Sequence, residues 1–221
     1  MKLNIVVTGA NRGIGLSFCK YFANLGHNVY AACRNSSAEL EKVTDNIIEN
    51  IDIGDAESCN LLFEKLSDIR IDLLINNAGI LSDEILGEID YESINKQFQV
   101  NTLGALRVTE GLLNNFQENS KIAIITSRMG SIGDNGSGGR YGYRMSKAAL
   151  NAAGKSLALD LKPRGISVGI FHPGLVSTDM IGGNGDISPD VAASRISGLI
   201  EKLSTTNSGE FWHSNGEHLP W

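Results

Sequence analysis

Cysteine, proline and aromatic residues are scarce in this sequence, and the few cysteines already argue against one class of protein. The 221 residues include three cysteines, four prolines and 6% aromatic residues. The three cysteines, at positions 19, 33 and 59, show no paired spacing, which argues against a disulfide scaffold and favours free thiols in a reducing cytoplasm. The four histidines (27, 172, 213 and 218) show no metal-ligand spacing. We therefore expect a cytoplasmic protein without a bound metal.

Excess positive charge and long hydrophobic runs are also missing. The formal net charge is -6 and no basic stripe occurs, so we expect no nucleic-acid partner. The apolar run in the opening MKLNIVVTGA is far too short for a signal peptide or a membrane span. The remaining composition, 42% hydrophobic and 20% charged, is that of an ordinary globular protein. Residues 1–221 are predicted to form one domain without a membrane-spanning segment.

Short β-branched segments alternate with longer amphipathic or alanine-rich segments along the chain. The predicted strands are 3–8, 28–33, 46–52, 71–76, 121–127, 166–172 and 210–213. The predicted helices are 13–25, 55–67, 91–115, 143–161 and 189–203. This alternation predicts an α/β fold, a doubly wound parallel sheet of about seven strands with helices on both faces. In such folds the loops at the carboxyl ends of the strands carry the ligand.

The stretch TGANRGIG, residues 8–15, links the first predicted strand to the first predicted helix. A glycine-rich turn lets the backbone approach a phosphate, and the helix N-terminus offers free N–H groups to that anion. The glycine spacing differs from the usual dinucleotide fingerprint GxGxxG. Taken alone, this stretch is equally consistent with a tight turn that binds nothing.

A tyrosine and a lysine stand four residues apart in YRMSK, residues 143–147, at the start of a predicted helix. This spacing places Tyr143 and Lys147 on one helix face, where the ammonium group would stabilise a phenolate and lower the tyrosine pKa. Tyr141 is a competitor, but it lies six residues from Lys147, off that face. Such a pair often arises by chance, so the rest of the sequence has to support its function.

Further motifs accompany this pair and together resemble the short-chain dehydrogenase/reductase family. TGxxxGxG is matched by residues 8–15, NNAG by 76–79, a helix asparagine by Asn101, a strand-end serine by Ser127, YxxxK by 143–147 and PG by 173–174. The glycine-rich stretch before Tyr143 and the ending GEFWHSNGEHLPW resemble a compact subgroup, that of C-factor proteins and sniffer-type carbonyl reductases. The resemblance implies a single-domain Rossmann fold and a nicotinamide-dependent oxidoreductase.

The resemblance also implies a role for each of four residues. Tyr143 would donate a proton to the carbonyl oxygen of the substrate as hydride arrives, and Ser127 would hydrogen-bond the same oxygen. Lys147 would lower the pKa of Tyr143 and hold the nicotinamide ribose. Asn101 would anchor a water that connects Lys147 to solvent. Two other hydroxyl groups remain alternatives to that of Ser127, those of Thr126 and Ser131.

The end of the second predicted strand favours NADP(H) over NAD(H). An acidic residue there would grip the ribose 2′-hydroxyl of NAD, but the sequence has Cys33 followed by Arg34. Arg12, inside the glycine turn, adds a second positive charge, although either arginine alone could simply be solvent-exposed. The other cofactor contacts implied by the resemblance are Gly9, Asn11, Gly13, Ile14, Gly15, Asp52, Ile53, Asn77, Ala78, Gly79, Tyr143, Lys147, Pro173, Gly174, Val176 and Thr178.

The segment after Pro173 and Gly174 predicts the kind of substrate. Its short glycine-rich loop, residues 181–186, stands where relatives carry a longer lid, and an open pocket would tolerate ketones, aldehydes or quinones. The predicted apolar wall of that pocket consists of Met129, Ile132, Tyr141 and Met180. The likeness to C-factor leaves a second hypothesis open, a nucleotide-binding signalling protein with little turnover.

Small residues crowd the middle of the helix that starts at Tyr143, at positions 148, 149, 152, 153 and 154. They allow a close approach of another helix, and three leucines of the neighbouring long helix, at positions 103, 106 and 113, are candidate partners. High helix propensity is the alternative reason for the alanines. We expect a homodimer or a homotetramer.

Overall fold

The computed structural model describes residues 2–221, which are built around a seven-stranded sheet. The strands are β1 (Asn4–Thr8), β2 (Asn28–Ala32), β3 (Ile47–Ile48), β4 (Ile71–Asn76), β5 (Phe116–Ile125), β6 (Ser167–His172) and β7 (Phe211–His213). Their order across the sheet is β3-β2-β1-β4-β5-β6-β7, and all neighbours are parallel. The order reverses between β1 and β4, and ligands bind at such a switch point in open α/β sheets.

Helices cover both faces of this sheet. They are α1 (Gly13–Asn24), α2 (Ala38–Glu41), α3 (Ala56–Lys65), α4 (Tyr91–Phe98), α5 (Ala105–Gly111), α6 (Tyr141–Leu161) and α7 (Pro189–Lys202). In β1 the side chain of Val6 belongs to the core under α3, α5 and α6, whereas Ile5 and Val7 belong to the core under α1, α2 and α7. The alternation of side chains along a strand produces this division. The predicted doubly wound Rossmann fold is confirmed.

Several predicted boundaries are wrong for identifiable reasons. The third strand is limited to Ile47–Ile48 at the sheet edge, since Asn50 adopts a left-handed conformation (φ 62°) that ends the extended run. Residues 38–41 form an unpredicted short helix, whose first turn is capped by the Ser37 hydroxyl. The fifth strand begins at Phe116 rather than at residue 121, and α6 begins at Tyr141 rather than at Tyr143.

The long helix predicted over 91–115 is interrupted in its middle. A π-helix, Gln99–Gly104, joins α4 to α5, and a 3₁₀ turn, Leu113–Asn115, follows α5. π-Helical turns are rare and concentrate at functional sites. Asn101 lies inside this one.

Candidate active site

A cleft of about 410 Å³ opens at the carboxyl ends of the central strands. Fifteen predicted cofactor contacts line it: Gly9, Asn11, Arg12, Gly13, Ile14, Arg34, Asp52, Ile53, Asn77, Ala78, Gly79, Tyr143, Lys147, Pro173 and Thr178. Five predicted site residues stand outside its lining: Gly15, Asn101, Ser127, Gly174 and Val176. Residues of the lining for which we predicted no role are Ile51, Ile80, Lys96, Val100, Ile125, Ser177, Asp179 and Pro189.

The N-terminus of α1 faces this cleft with its positive end uncompensated. Arg12, at the N-cap position, makes no side-chain cap, and the first turn of α1 contains no acidic residue. The first N–H groups of the helix therefore remain available to an anion. Gly9 has a φ of 64°, and a methyl group there would lie 2.9 Å from the Cα of Ala78. The residues of this turn fit the pyrophosphate of a dinucleotide.

Thr8 and Asn77 fasten the ends of β1 and β4 to each other. The Thr8 hydroxyl accepts hydrogen bonds from the backbone N–H groups of Asn77 (3.0 Å) and Ala78 (3.1 Å). The Asn77 amide donates to the carbonyls of Thr8 (3.0 Å) and Gly9 (3.2 Å). We did not assign Thr8 a role from the sequence, although a polar residue at the buried end of a strand was a usable indication.

Gly15 supports the turn from behind instead of facing the cleft. A methyl group at this position would lie 2.1 Å from the Gly9 carbonyl oxygen and 2.6 Å from the Asn77 amide nitrogen. Only glycine lets α1 approach the turn this closely. The role of Gly15 is therefore to permit packing.

Tyr143 and Lys147 lie together on the inner side of α6 and are almost withdrawn from solvent, with 9% and 4% of their surface exposed. The Lys147 ammonium lies 5.8 Å from the centre of the Tyr143 ring and donates a hydrogen bond to the Ile125 carbonyl at 3.0 Å. Ser127 follows β5, and its oxygen accepts a hydrogen bond from the Met129 N–H at 3.1 Å. The hydroxyl proton of Ser127 is left to donate elsewhere.

Burial controls the protonation of this pair. It raises the pKa of Tyr143 above the usual value, and the hydrogen bond from Ser127 and the charge of Arg140 only partly oppose it. The lowered tyrosine pKa expected from the lysine spacing is thus reversed, because desolvation is the larger effect. Burial also lowers the pKa of Lys147 to about 8.

The Asn101 side chain joins the loop after β4 to helix α6. Its oxygen accepts a hydrogen bond from the Ile80 N–H (2.8 Å), and its nitrogen donates to the Ile80 carbonyl (2.9 Å) and to the Ser146 hydroxyl (3.0 Å). Ile80 follows the NNAG segment, and Ser146 precedes Lys147. The π-helix therefore carries an asparagine that ties the centre of the cleft to α6.

The alternatives left open by the sequence differ in position. Tyr141 stands outside the lining of the cleft. Thr126 lines the cleft, but its hydroxyl donates to the side-chain amide oxygen of Asn151 at 2.7 Å. Ser131 is buried outside the lining, where its oxygen accepts from the Asp134 N–H. The hydroxyl of Ser127 is the one that interacts with the Tyr143 phenol.

At the other end of the cleft no carboxylate follows β2. Cys33 lines the wall there, and burial raises its thiol pKa to about 11, so that the thiol is uncharged at neutral pH. Arg34 also lines the wall and forms no ion pair with any residue from 2 to 221. Arg12 pairs with Asp179 at 3.4 Å, but both side chains are mostly exposed and the pair is weak.

The expected apolar wall is only partly assembled around the cleft. Met180 lines it, whereas Met129, Ile132 and Tyr141 stand outside the lining, and Ile132 is 82% exposed. Within residues 2–221, no group of three or more metal-ligating side chains occurs. No helix in the same range is long and apolar enough to span a membrane.

Known proteins share both the sequence and the shape of this chain. Residues 3–186 match the family model described as short chain dehydrogenase. The 1-hydroxy-2-glutathionyl-2-methyl-3-butene dehydrogenase of Rhodococcus sp. (strain AD45) is 37% identical over 223 residues, covering 98% of this chain and 99% of that protein. The C-signal protein of Myxococcus xanthus is 40% identical over 154 residues, covering 68% of this chain and 93% of that protein.

Solved structures extend this likeness to the whole fold. The carbonyl reductase Sniffer of D. melanogaster superposes with a TM-score of 0.90 at 30% identity. The NADPH-bound carbonyl reductase from chicken fatty liver superposes with a TM-score of 0.87 at 27% identity. Both comparisons cover 100% of each chain. With its family match, its parallel sheet and its Tyr143–Lys147 pair, this chain belongs to the short-chain dehydrogenase/reductase family of oxidoreductases.

Proposed function

We propose that residues 1–221 form one catalytic domain that reduces a ketone, aldehyde or quinone to an alcohol with NADPH, in the cytoplasm. The observation that carries this proposal is the buried Tyr143–Lys147 pair with the Ser127 hydroxyl beside the phenol. The pair lines the same cleft as the uncompensated N-terminus of α1. The likeness to carbonyl reductases, one of them NADPH-bound, supports the same activity.

Tyr143 is the proton donor in this proposal. Because burial raises its pKa, the phenol stays protonated at neutral pH and can give its proton to the carbonyl oxygen of the substrate. Ser127 donates a hydrogen bond to the same oxygen as negative charge develops there. Lys147, still largely charged below its pKa of about 8, stabilises the phenolate that remains. The nicotinamide, when bound, supplies the hydride.

Three groups of residues hold the cofactor in this proposal. The turn from Gly9 to Ile14 and the N-terminus of α1 bind the pyrophosphate. Arg34 and Arg12 bind the 2′-phosphate, and Asp52 and Ile53 contact the adenine. The remaining contacts, near the nicotinamide and its ribose, are Asn77, Ala78, Gly79, Tyr143, Lys147, Pro173, Gly174, Val176 and Thr178.

Asn101 completes the site by anchoring a water that resupplies Lys147 with protons. A methyl group at Gly79 would lie 3.2 Å from the Asn101 oxygen and 3.6 Å from the Lys147 nitrogen. Both side chains thus border the same small space above Gly79. This neighbourhood supports a proton path from Lys147 past Asn101.

A second candidate function follows from the C-signal relative. A signalling protein of that kind would bind nucleotide in the same cleft with little turnover. The two hypotheses separate in one assay, the consumption of NADPH and NADH with a panel of ketones, aldehydes and quinones. Cofactor binding without turnover of any of these carbonyls would favour the signalling role.

The acid role of Tyr143 gives the first prediction. Tyr143→Phe removes only the reacting proton, so kcat should fall by about 10²–10⁴-fold while the Kd for NADPH stays near the unaltered value. Steady-state kinetics and fluorescence titration measure the two quantities. Tyr141→Phe is the matched control and should keep nearly full activity. Retention of more than about a tenth of the rate in Tyr143→Phe would contradict the assignment.

The second prediction concerns the choice of cofactor. Arg34→Ala should weaken NADPH binding by about 10-fold or more, since a charge-assisted contact to phosphate is lost, and should leave NADH binding nearly unchanged. Cys33→Asp should shift the preference further towards NADH. Arg70→Ala, an exposed arginine paired with Asp72, serves as the control. A preference of the unaltered protein for NADH would refute the cofactor assignment.

The third prediction is a homodimer, or a tetramer built from it, formed through α6 and the α4–α5 region. Met145, Ala152 and Leu159 lie exposed on the outer side of α6. Gly154, by contrast, faces the sheet, where a methyl group would lie 2.9 Å from the Ile170 side chain. Light scattering should give twice the chain mass of 23.7 kDa or a higher multiple. A mass near 23.7 kDa at micromolar concentration would rule the assembly out.

A further inference from the structure

One carboxylate in the described chain is almost fully buried, and it lies beside the catalytic helix. Glu84, in the loop after β4, has 4% of its surface exposed. Its Oε2 accepts a hydrogen bond from the backbone N–H of Gly142 at 3.0 Å, and its Oε1 accepts one from Nε2 of Gln97 at 2.5 Å. Because both oxygens face donors, the ionised carboxylate is the form that fits this site.

Gln97 extends this contact to the loop that leaves the NNAG segment. Its side chain, on α4, is fully buried, and its Oε1 accepts a hydrogen bond from the backbone N–H of Ser82 at 3.1 Å. The backbone carbonyl of Glu84 in turn accepts from the N–H of Arg140 at 3.3 Å. The loop after β4, α4 and the start of α6 are therefore joined by one chain of hydrogen bonds.

Helix α6 depends on this chain because it has no cap of its own. Arg140, its N-cap residue, is left-handed (φ 52°) and makes no side-chain cap, and the first turn contains no acidic residue. Glu84 supplies the missing acceptor and the negative charge that a helix N-terminus favours. A methyl group at Gly142 would lie 2.6 Å from the Gln97 nitrogen and 2.9 Å from the Glu84 oxygen. A larger residue at position 142, immediately before Tyr143, would push the ends of these two side chains out of place.

We propose that Glu84 and Gln97 are positioning residues for Tyr143, which hold the first turn of α6 so that the phenol points into the cleft. The kinetic effects expected from this proposal rest on the proposed function. The hydrogen bonds of Glu84 and Gln97 do not depend on which substrate is bound. Glu84 touches neither the cleft nor the reacting atoms; it acts through Gly142.

The donors and acceptors of this chain make a swap experiment possible. In Glu84→Gln, an amide replaces the carboxylate. Whichever way the two amides turn, two N–H donors then face each other at one point of the chain: at Gly142, between residues 84 and 97, or at Ser82. In Gln97→Glu, two carboxylates face each other. In the double variant Glu84→Gln/Gln97→Glu, the new glutamine accepts from Gly142 and donates to the new glutamate, which accepts from Ser82. Every hydrogen bond is restored with the same net charge.

The test compares these three variants with the unaltered protein and with Glu88→Gln. Glu88 is an exposed residue of the same loop, so its change removes an equal charge without touching the chain of hydrogen bonds. Four properties are measured: the melting temperature, the Kd for NADPH, kcat with a saturating carbonyl substrate, and the ionisation of Tyr143. The last is obtained from tyrosinate absorbance, as the difference between each protein and its Tyr143→Phe counterpart.

We expect each single swap to lower kcat by at least about 10-fold, because a small displacement of a reacting group is costly, with the Kd for NADPH within about 3-fold. Tyr143 should ionise at lower pH in Glu84→Gln, since water reaches the loosened turn and a negative charge is lost. The double swap should recover kcat to within about 3-fold. Glu88→Gln should resemble the unaltered protein.

Two results would overturn the proposal: a Glu84→Gln variant with more than about half of the original kcat and an unchanged Tyr143 titration, or a folded double swap that stays as inactive as the single variants. If Glu84→Gln does not fold, Gln97→Glu and the double swap still decide. If the unaltered protein reduces no carbonyl in the panel, the proposed function fails, and the titration of Tyr143 alone judges the role of Glu84.

Discussion

The burial of the Lys147 ammonium next to the Tyr143 phenol is the constraint on which the rest of the structure depends. A charged amine withdrawn from water costs stability unless its environment compensates it, and here its hydrogen-bond partner is the Ile125 carbonyl at the end of β5. The close packing of α6 holds the amine there. A methyl group at Gly130 would lie 2.7 Å from the Lys147 backbone, and one at Gly154 would touch the sheet. Gly130 and Gly154 thus let α6 pack close enough to its neighbours to place the Lys147 ammonium in the interior.

Buried polar side chains align the other segments at this edge of the sheet. Thr8 and Asn77 join β1 to β4, Asn101 joins the loop after β4 to α6, and Glu84 joins the same loop to the first turn of α6. Each of these side chains bonds to backbone groups of a neighbouring segment. A satisfied polar group in a low-dielectric interior fixes geometry more strictly than apolar packing does. These hydrogen bonds hold the segment after β4 against β1 on one side and against α6 on the other.

The fold could be predicted from the sequence because its information is local. Most of the predicted cofactor contacts line one cleft, and their role in binding stays a prediction. Alternating β-branched and amphipathic segments predict the parallel sheet, and short motifs such as YxxxK predict which residues share a helix face. The interrupted helix could not be predicted, because Asn101, inside the π-helical turn, bonds to Ile80 and Ser146, which lie far away in sequence. Glu84 was missed for the same reason. Its loop reads as polar and exposed, and only the fold brings it under Gly142.

The direction of the Tyr143 pKa shift could not be predicted from the sequence either. Spacing alone places an ammonium near the phenol and predicts a lowered pKa, but spacing carries no information on burial. In the folded chain desolvation is the larger effect on both partners, raising the pKa of Tyr143 and lowering that of Lys147. The site thus keeps a protonated acid at neutral pH, together with a cation that carries a cost in stability.

The cost of burying this cation is tested most directly by the pH dependence of the free energy of unfolding, measured for the unaltered protein and for Lys147→Met. The pKa of Lys147 is lowered from 10.5 to about 8 on folding, so between these values the unfolded chain binds more protons and stability must rise with pH. Urea unfolding should show the unaltered protein gaining stability relative to Lys147→Met from pH 8 upwards, by at most about 1.4 kcal/mol per pH unit. Parallel curves for the two proteins over this range would contradict the account.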